Sequence, residues 1–407
     1  LAVYVEAKAS YILEKGTYCF LIGNTSNKVE TAGEIHVDED LIIKKCTNCL
    51  QIQECNVEQL RFLSAKSGEK KAEHYDNSRS ESCRSEAALK NETAELKDFS
   101  IRQLAALCVG YGPGIPFAAF SDTKNPETIF DEQGNPLTVN DHSIGTNGYV
   151  SPAIPEKGIH SIFYKDGPAG VGTGAWPTEM LISCSFNKEL WKEFGNAVGG
   201  ACEKQGVNVW LAPAVNLHRH PLCGRNFEYF SEDPYLTGMC AVQITKGVQE
   251  THNVCVCPKH FAVNEQETYR RGSAKKNYDA ADSILTERAA RELYLKPFEM
   301  LVQEAGISFI MTSFNKINGI FAGGNKDLCT HILREEWNFE GVVVTDWGDM
   351  DIVVDGGDAV AAGNDIVMPG GPPVIGQILE AYEEGRVTRT NLERSVSRLL
   401  HVLKKFS

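Results

Sequence analysis

The chain has no long apolar run, no excess of positive charge and no nucleotide-binding glycine motif, and each absence excludes a class of protein. No apolar stretch approaches the roughly 18–20 residues of a membrane-spanning helix. The net charge of −14 over 407 residues argues against a nucleic-acid binder, which would need a basic face. No Gly-x-Gly-x-x-Gly follows a predicted strand, so dinucleotide binding is not expected. The sequence therefore favours a protein that engages neither membranes nor nucleic acids.

Targeting and metal signals are also scarce. The first ten residues have neither the basic start nor the apolar core of a signal peptide, and position 1 is leucine. The 13 cysteines are scattered, mostly within apolar segments, which predicts buried free thiols in a reducing compartment, the cytoplasm. Cys46 and Cys49 form a close pair, but no second pair follows at zinc-site spacing. We therefore expect no metal and no cofactor.

The composition divides the chain into three stretches. Residues 1–60 alternate in the manner of strands, with turns at Gly16 and Gly23, but they hold too few strands for a complete sandwich. They predict the end of a β domain that begins outside this sequence. Residues 61–96 are rich in Lys, Glu, Ser and Asn and predict a polar linker. Residues 97–407 are expected to form the main domain.

From residue 97 onward, predicted strands alternate with amphipathic helices. The predicted strands are 161–165, 207–212, 254–257, 307–312, 342–345 and 365–368. The predicted helices are 188–205, 234–250, 282–304, 326–337 and 350–362. Such repeated strand–helix units indicate a parallel sheet, and their number favours an α/β fold of the (β/α)8 TIM-barrel type. A last helix over 391–405 is expected to pack against the barrel exterior.

Polar residues follow the C-terminal ends of these predicted strands. The segments are Asp-Gly-Pro at 166–168, Pro-Ala-Val-Asn-Leu-His-Arg at 213–219, Pro-Lys-His-Phe at 258–261, Ser-Phe-Asn at 313–315 and Asp-Trp at 346–347. Barrel enzymes work at the rim that these strand ends form. The pattern therefore predicts one shared site.

The residue types on this rim suit a neutral, polyhydroxylated ring. Asp166 can accept hydrogen bonds from two adjacent hydroxyls, Trp347 can supply an aromatic face, and basic side chains can donate to the other hydroxyls. These basic residues are Arg225, Lys259, His260 and Arg270. The same cations should favour the ionised form of Asp346. An ionised carboxylate there suits a nucleophile that attacks an anomeric carbon.

Several of these residues also have a structural interpretation. Arg225 can be the partner of Glu228, His260 can be a hydrogen-bonded core histidine, and Trp347 can be ordinary barrel packing. The carboxylates expected to brace loops are Glu228, Glu265 and Glu267. These alternatives remain open at the level of sequence.

With these motifs in view, the chain resembles the β-glucosidases of glycoside hydrolase family 3. The motifs are Lys-Asp-Gly-Pro at 165–168, Leu-Ala-Pro-Ala-Val-Asn at 211–216, Gly-Arg-Asn-Phe-Glu-Tyr-Phe-Ser-Glu-Asp-Pro at 224–234, Lys-His-Phe-Ala-Val-Asn-Glu-Gln-Glu-Thr at 259–268 and Val-Thr-Asp-Trp at 344–347. The resemblance implies a retaining, double-displacement mechanism with Asp346 as nucleophile. It also implies a sugar subsite built from Asp166, Arg225, Lys259, His260 and Arg270, with Trp347 beside it.

Two departures from the family pattern matter. Phe314 stands in the site where related sequences commonly carry a tyrosine, and the missing hydroxyl removes one hydrogen bond, about 0.5–1.5 kcal/mol if neutral. Relatives usually draw their acid/base carboxyl from an α/β sandwich domain after the barrel, and only a helix follows here. Residues 1–60 look similar to the end of a fibronectin type III-like domain. The resemblance thus implies a circularly permuted enzyme whose sandwich domain comes from a missing N-terminal part or a second chain.

The leading hypothesis is release of terminal, non-reducing β-D-glucose from β-glucosides. A β-xylosidase or α-L-arabinofuranosidase of the same fold is the related alternative. The competing class is a sugar-binding module without catalysis. A purely structural protein would require the polar strand ends to be coincidence.

Overall fold

A computed structural model of the chain describes residues 1–25, 28–52, 96–110, 128–130, 136–139, 148–171, 175–272, 278–347 and 354–406. The linker expected at 61–96 lies outside these ranges except for Leu96, which is buried. In the described ranges, no helix has both the length and the apolar character needed to cross a membrane. All cysteines in those ranges are free thiols.

The elements follow in this order. The strands are β1 (Val3–Val5), β2 (Ser10–Leu13), β3 (Gly16–Thr25), β4 (Lys28–Val37), β5 (Leu41–Lys45), β6 (Thr128–Phe130), β7 (Pro136–Val139), β8 (Gly148–Val150), β9 (Phe163–Asp166), β10 (Val209–Leu211), β11 (Cys255–Val256), β12 (Asp282–Ser283), β13 (Phe309–Met311), β14 (Lys316–Ile317), β15 (Ile320–Phe321) and β16 (Val342–Val344). The helices are α1 (Ile101–Leu107), α2 (Glu179–Ser183), α3 (Lys188–Lys204), α4 (Pro234–Gln249), α5 (Glu287–Ala289), α6 (Lys296–Ala305), α7 (Gly356–Ala362), α8 (Pro372–Glu383) and α9 (Arg389–Leu403), with π-helical segments at Ala290–Tyr294 and Asp327–Glu336.

The barrel sheet runs β8, β9, β10, β11, β13 and β16 and continues through two bridged segments. β9, β10 and β11 pair in parallel, as do β13 and β16. Met311 N–H donates to Pro258 O, and Phe261 N–H donates to Met311 O, which joins β11 to β13. Parallel bridges then link Val344 to Ile366 and Val367 to Val109. The parallel sheet predicted from the sequence is confirmed in these pairs.

The ring has one antiparallel member, because β8 runs against β9. Its Val150 also lies beside Gly110, at the other end of the strand order. A Cβ on Gly110 would come within 3.2 Å of Val150 O and 1.9 Å of Met368 Sδ. A side chain at position 110 would therefore displace Met368, and the approach of Gly110 to Val150 brings the two ends of the sheet together.

Alternate strand residues face the inside of the barrel and the surrounding helices. Tyr164, Val209 and Phe309 belong to an interior cluster. Their neighbours Phe163, Trp210 and Ile310 belong to the larger cluster under the helices. Because successive side chains of a strand point to opposite faces and both faces are buried here, the strand residues are apolar at successive positions.

Helix α9 covers an end of the barrel. Its residues Leu399 and Val402 join the interior cluster, and Arg398 binds Asp365 at 2.8 Å, just before the bridged Ile366. The helix therefore closes the N-terminal ends of the strands, whereas the sequence placed it against the exterior.

The helix predicted over 282–304 is present only from Glu287 onward, and a π-helical segment at Ala290–Tyr294 interrupts it. Residues Asp282–Ser283 instead form β12, which pairs in parallel with β14. The helical part begins only after Thr286, whose side chain accepts a hydrogen bond from Ala289 N–H at 3.2 Å. Pro297 then stands in the first turn of α6, where the missing amide hydrogen is tolerated.

The N-terminal sheet of β1, β2 and β5 packs on the barrel through buried Arg291. This guanidinium donates to Glu287 Oε1, Glu336 Oε1 and Thr47 O, each at 2.8 Å. The cation also lies 5.1 Å from the centre of the Tyr4 ring. Arg291 therefore links residues of the N-terminal segment to the helical layer of the barrel.

Strands β3 and β4 form a separate hairpin with exposed apolar side chains. Leu21, Ile22 and Ile35 are 59%, 67% and 49% exposed. A two-stranded hairpin of this kind has little stability of its own. The strands predicted near the N-terminus are therefore present, and their assignment to a fibronectin type III-like domain stays a prediction.

Replacing Arg291 by Met should destabilise the protein by about 3–5 kcal/mol, because it leaves buried carboxylates without their cation. Chemical unfolding followed by circular dichroism measures the loss. Arg288→Met is the matched control, since that side chain is 52% exposed in its pair with Glu292 and should cost less than about 1 kcal/mol. Equal losses in the two variants would contradict the role given to Arg291.

Candidate active site

Asp166 and Lys259 form the first wall of the site. Asp166 ends β9, and its Oδ1 accepts from Lys259 Nζ at 2.6 Å and from Gly167 N–H at 2.9 Å. The lysine side chain is 4% exposed and the aspartate side chain is 63% exposed. The pair therefore presents carboxylate oxygen to the open rim while its cation stays inside.

The pKa values of this pair move apart. Burial by itself lowers the pKa of Lys259, but Asp166 and Glu228 outweigh it and the pKa is raised. Burial by itself raises the pKa of Asp166, but Lys259 and the Gly167 amide outweigh it and the pKa is lowered. Both groups are therefore charged at neutral pH.

His260 is held by Asn216 and Arg225. Asn216 Oδ1 accepts from His260 N–H at 2.8 Å and lies 3.3 Å from Nδ1, while Arg225 Nη1 lies 2.9 Å from Nε2. Burial, followed by the charges of Arg225 and Lys259, lowers the pKa of His260 well below its usual range. The neutral ring thus accepts at Nε2 and carries its proton on Nδ1.

Asp346 lies two residues beyond β16, at the bottom of the same site. It is 8% exposed, and its Oδ1 accepts from Trp347 N–H at 2.7 Å. Oδ2 lies 3.8 Å from His260 Nε2 and accepts no hydrogen bond from any described residue. Oδ1 is thus engaged by the backbone, whereas Oδ2 is buried without a donor among the described residues.

The sequence predicted that nearby cations favour the ionised form of Asp346. Burial is the largest influence and raises the pKa of this carboxyl, while Arg270, Arg225, the Trp347 amide and Lys259 lower it. The cations act in the predicted direction, but burial outweighs them and the pKa lies above its ordinary value. The sequence did not indicate this effect of burial.

Two glutamates brace the arginines of the site. Arg225 Nε pairs with Glu228 Oε1, as the structural interpretation of the sequence expected. Arg270 Nε lies 3.3 Å from Glu267 Oε2. Both guanidiniums are therefore fixed by carboxylates while Arg225 also contacts His260.

The two aromatic residues differ in position. Trp347 is partly buried and packs against the interior cluster of the barrel. Phe314 is 2% exposed, and its ring lies under Arg270, with 4.7 Å from the guanidinium carbon to the ring centre. Phe314 therefore contacts the arginine and has little surface for a ligand.

Sequence reasoning missed two buried polar residues behind this site. Asn216, which lies within the predicted strand-end segment 213–219, fixes the His260 ring. Glu179 in α2 is fully buried and accepts from Ala214 N–H at 3.1 Å. The position of Asn216 after a predicted strand could have identified it from the sequence. Nothing in the sequence around Glu179 marks that residue.

In the described ranges, no group of three or more His, Cys, Asp or Glu side chains has the arrangement of a metal site. Burial raises the pKa of Cys46 to about 12, so this thiol stays protonated and is a poor ligand.

The fold and the rim define a barrel protein whose polar site lies at the carboxyl ends of its strands. Residues 157–402 match the model of the glycosyl hydrolase family 3 N terminal domain, and the chain belongs to this family.

Curated relatives carry β-glucosidase names. Residues of this chain are 42% identical over 260 positions to β-glucosidase A of Butyrivibrio fibrisolvens, covering 62% of this chain and 29% of that protein. They are 37% identical over 276 positions to thermostable β-glucosidase B of Acetivibrio thermocellus, covering 64% and 35%. The chain thus spans about a third of the length of these relatives.

Solved structures show the same likeness. β-Glucosidase 3B from Thermotoga neapolitana has a TM-score of 0.63 at 34% identity, covering 77% of this chain and 43% of that one. A β-glucosidase from Paenibacillus barengoltzii has a TM-score of 0.75 at 26% identity, covering 99% and 46%. The second match includes the N-terminal strands.

Glu265 gives the site region a pH-dependent stability. Burial raises its pKa from 4.5 to about 7, against the hydrogen bonds from Leu217 and Asn216. Between those values the folded chain holds a proton that the unfolded chain has released, so stability falls as pH rises. At roughly 1.4 kcal/mol per pKa unit, the loss is about 3 kcal/mol.

Glu265→Gln should remove this dependence. Its stability relative to the native protein should rise by up to about 3 kcal/mol between about pH 5 and about pH 8. Urea unfolding over that range measures the difference, with the exposed Glu156→Gln as control. A gap between Glu265→Gln and the native protein that stays constant with pH would contradict the assignment.

Proposed function

We propose that this chain carries the nucleophile and sugar subsite of a retaining β-glucosidase. The observation that carries the proposal is the Oδ2 atom of Asp346, which is buried, accepts no hydrogen bond from the described residues and lies 3.8 Å from His260. The names of the relatives support a β-glucoside as substrate.

The walls of the site supply the sugar contacts. The Asp166 carboxylate accepts from two adjacent hydroxyls, and Lys259 donates to one of them while it holds Asp166. Arg225 and Arg270 donate from the opposite side, and His260 sets the position of Arg225. Trp347 supplies the aromatic platform beside Asp346.

The reaction proceeds in two displacements. Asp346 Oδ2 attacks the anomeric carbon, the bond to the leaving oxygen breaks, and a general acid gives that oxygen a proton. Water then attacks the anomeric carbon from the opposite face while the conjugate base of the same general acid takes its proton. The bond to Asp346 breaks, which releases β-D-glucose and restores both the carboxylate and the acid. Retention places the acid carboxyl about 5–5.5 Å from Asp346. Arg270 and Arg225 favour the ionised form of the nucleophile against the effect of burial.

The acid comes from outside residues 1–407 in this proposal. Family resemblance assigns it to an α/β sandwich domain, supplied by another part of a longer polypeptide or by a second chain. The limited share of each relative that this chain spans supports that view. Residues 1–60 are then the end of a fibronectin type III-like domain and 97–407 the catalytic domain of a circularly permuted enzyme.

The decisive test uses a substrate that needs no acid. With 2,4-dinitrophenyl 2-deoxy-2-fluoro-β-D-glucoside, whose leaving group departs unprotonated, each chain should gain one fluoroglucosyl group on Asp346. Intact-mass measurement and peptide mapping detect the group. Asp346→Asn should stay unlabelled, and Asp327→Asn, which changes a carboxylate paired with His331, should label as the native chain does.

Other outcomes identify the alternatives. Faster labelling by the corresponding xyloside would favour a β-xylosidase. Glucose binding in calorimetry without any label would indicate a sugar-binding module. A label on Asp346→Asn, or one mapped to another residue, would refute the assignment of the nucleophile.

A further inference from the structure

Arg270 carries a buried donor that has no acceptor among the described residues. Its Nε pairs with Glu267 Oε2 at 3.3 Å, and its Cζ lies over the Phe314 ring, 4.7 Å from the ring centre. Its Nη1 is buried and has no hydrogen-bond partner in the described ranges. A buried donor without a partner is costly unless a ligand completes it.

Phe314 is rigidly placed beneath this arginine. The preceding Ser313 donates from its N–H to Phe261 O and from its Oγ to Ala262 O, both at 2.8 Å. The ring itself is 2% exposed and carries no polar atom. Its faces attract guanidinium groups through the ring quadrupole, and Arg271 also lies within 5.4 Å.

The charge of Arg270 acts on the nucleophile. Among the groups that lower the pKa of Asp346 against burial, Arg270 has the largest effect. The other titratable groups that act on or face Asp346 are Arg225, Lys259, His260 and Cys257. A displaced Arg270 would therefore leave Asp346 protonated to higher pH.

We propose that Phe314 is a positioning residue: its ring seats Arg270 so that Nη1 stays available to the bound glucosyl unit beside Asp346. This inference rests on the proposed function. The phenyl ring contacts the guanidinium of Arg270. Related sequences commonly carry a tyrosine, with its hydroxyl, at this position. Phe314 thus acts through Arg270 and needs no contact with the sugar.

A double-mutant cycle tests this role. Phe314→Leu removes the aromatic face and should weaken glucose binding about 3- to 10-fold, the size of one buried cation–π contact. It should also move the acid limb of the fluoroglucosylation rate to higher pH. Phe314→Tyr restores the face and should rescue both properties. In an Arg270→Met background, Phe314→Leu should have no further effect on either.

The cycle has outcomes that overturn the proposal. Equal effects of Phe314→Leu with and without Arg270, or no rescue by Phe314→Tyr, would show a merely structural ring. Phe314→Met, checked by circular dichroism, replaces Leu if that variant fails to fold. If the native chain binds glucose but takes no label, the proposed function fails, and the cycle is still decided by the glucose affinities.

Discussion

The site depends on a carboxylate that is removed from water and balanced by cations. Burial of Asp346 favours its neutral form, and Arg270 and Arg225 oppose burial with the largest effects. Small shifts of either arginine should therefore change the pKa of this carboxyl, the proposed nucleophile. The geometry of the cations therefore matters more to the proposed chemistry than their number.

That geometry is fixed by neutral and acidic groups behind the site. Glu228 and Glu267 hold the two arginines, and Asn216 fixes the ring of His260. Residues that the sequence assigned to loop bracing thus serve the site by holding its charges. Replacing Glu228, Glu267 or Asn216 would therefore disturb the proposed reaction through the arginines and His260. Such an effect is expected where supporting groups orient the reacting ones.

The sequence predicted the barrel strands well because apolar runs such as Val342–Val344 are buried on both faces. It also predicted that Asp166, Lys259 and Asp346 converge, since parallel strands end on one rim. It did not predict the stack of Arg270 on Phe314, which depends on how separate loops pack. The raised pKa of Asp346 was missed for a similar reason, because the depth of burial is a property of the whole fold.

The central claim is that Asp346 lies beneath the anomeric carbon of a glucosyl unit bracketed by Asp166 and Lys259. A crystal structure of the trapped fluoroglucosyl protein tests it directly. We expect a bond from Asp346 Oδ2 to the anomeric carbon, with hydroxyls of the sugar ring hydrogen-bonded to Asp166 and Lys259. A sugar bound away from this pair, or attached to another carboxylate, would contradict it.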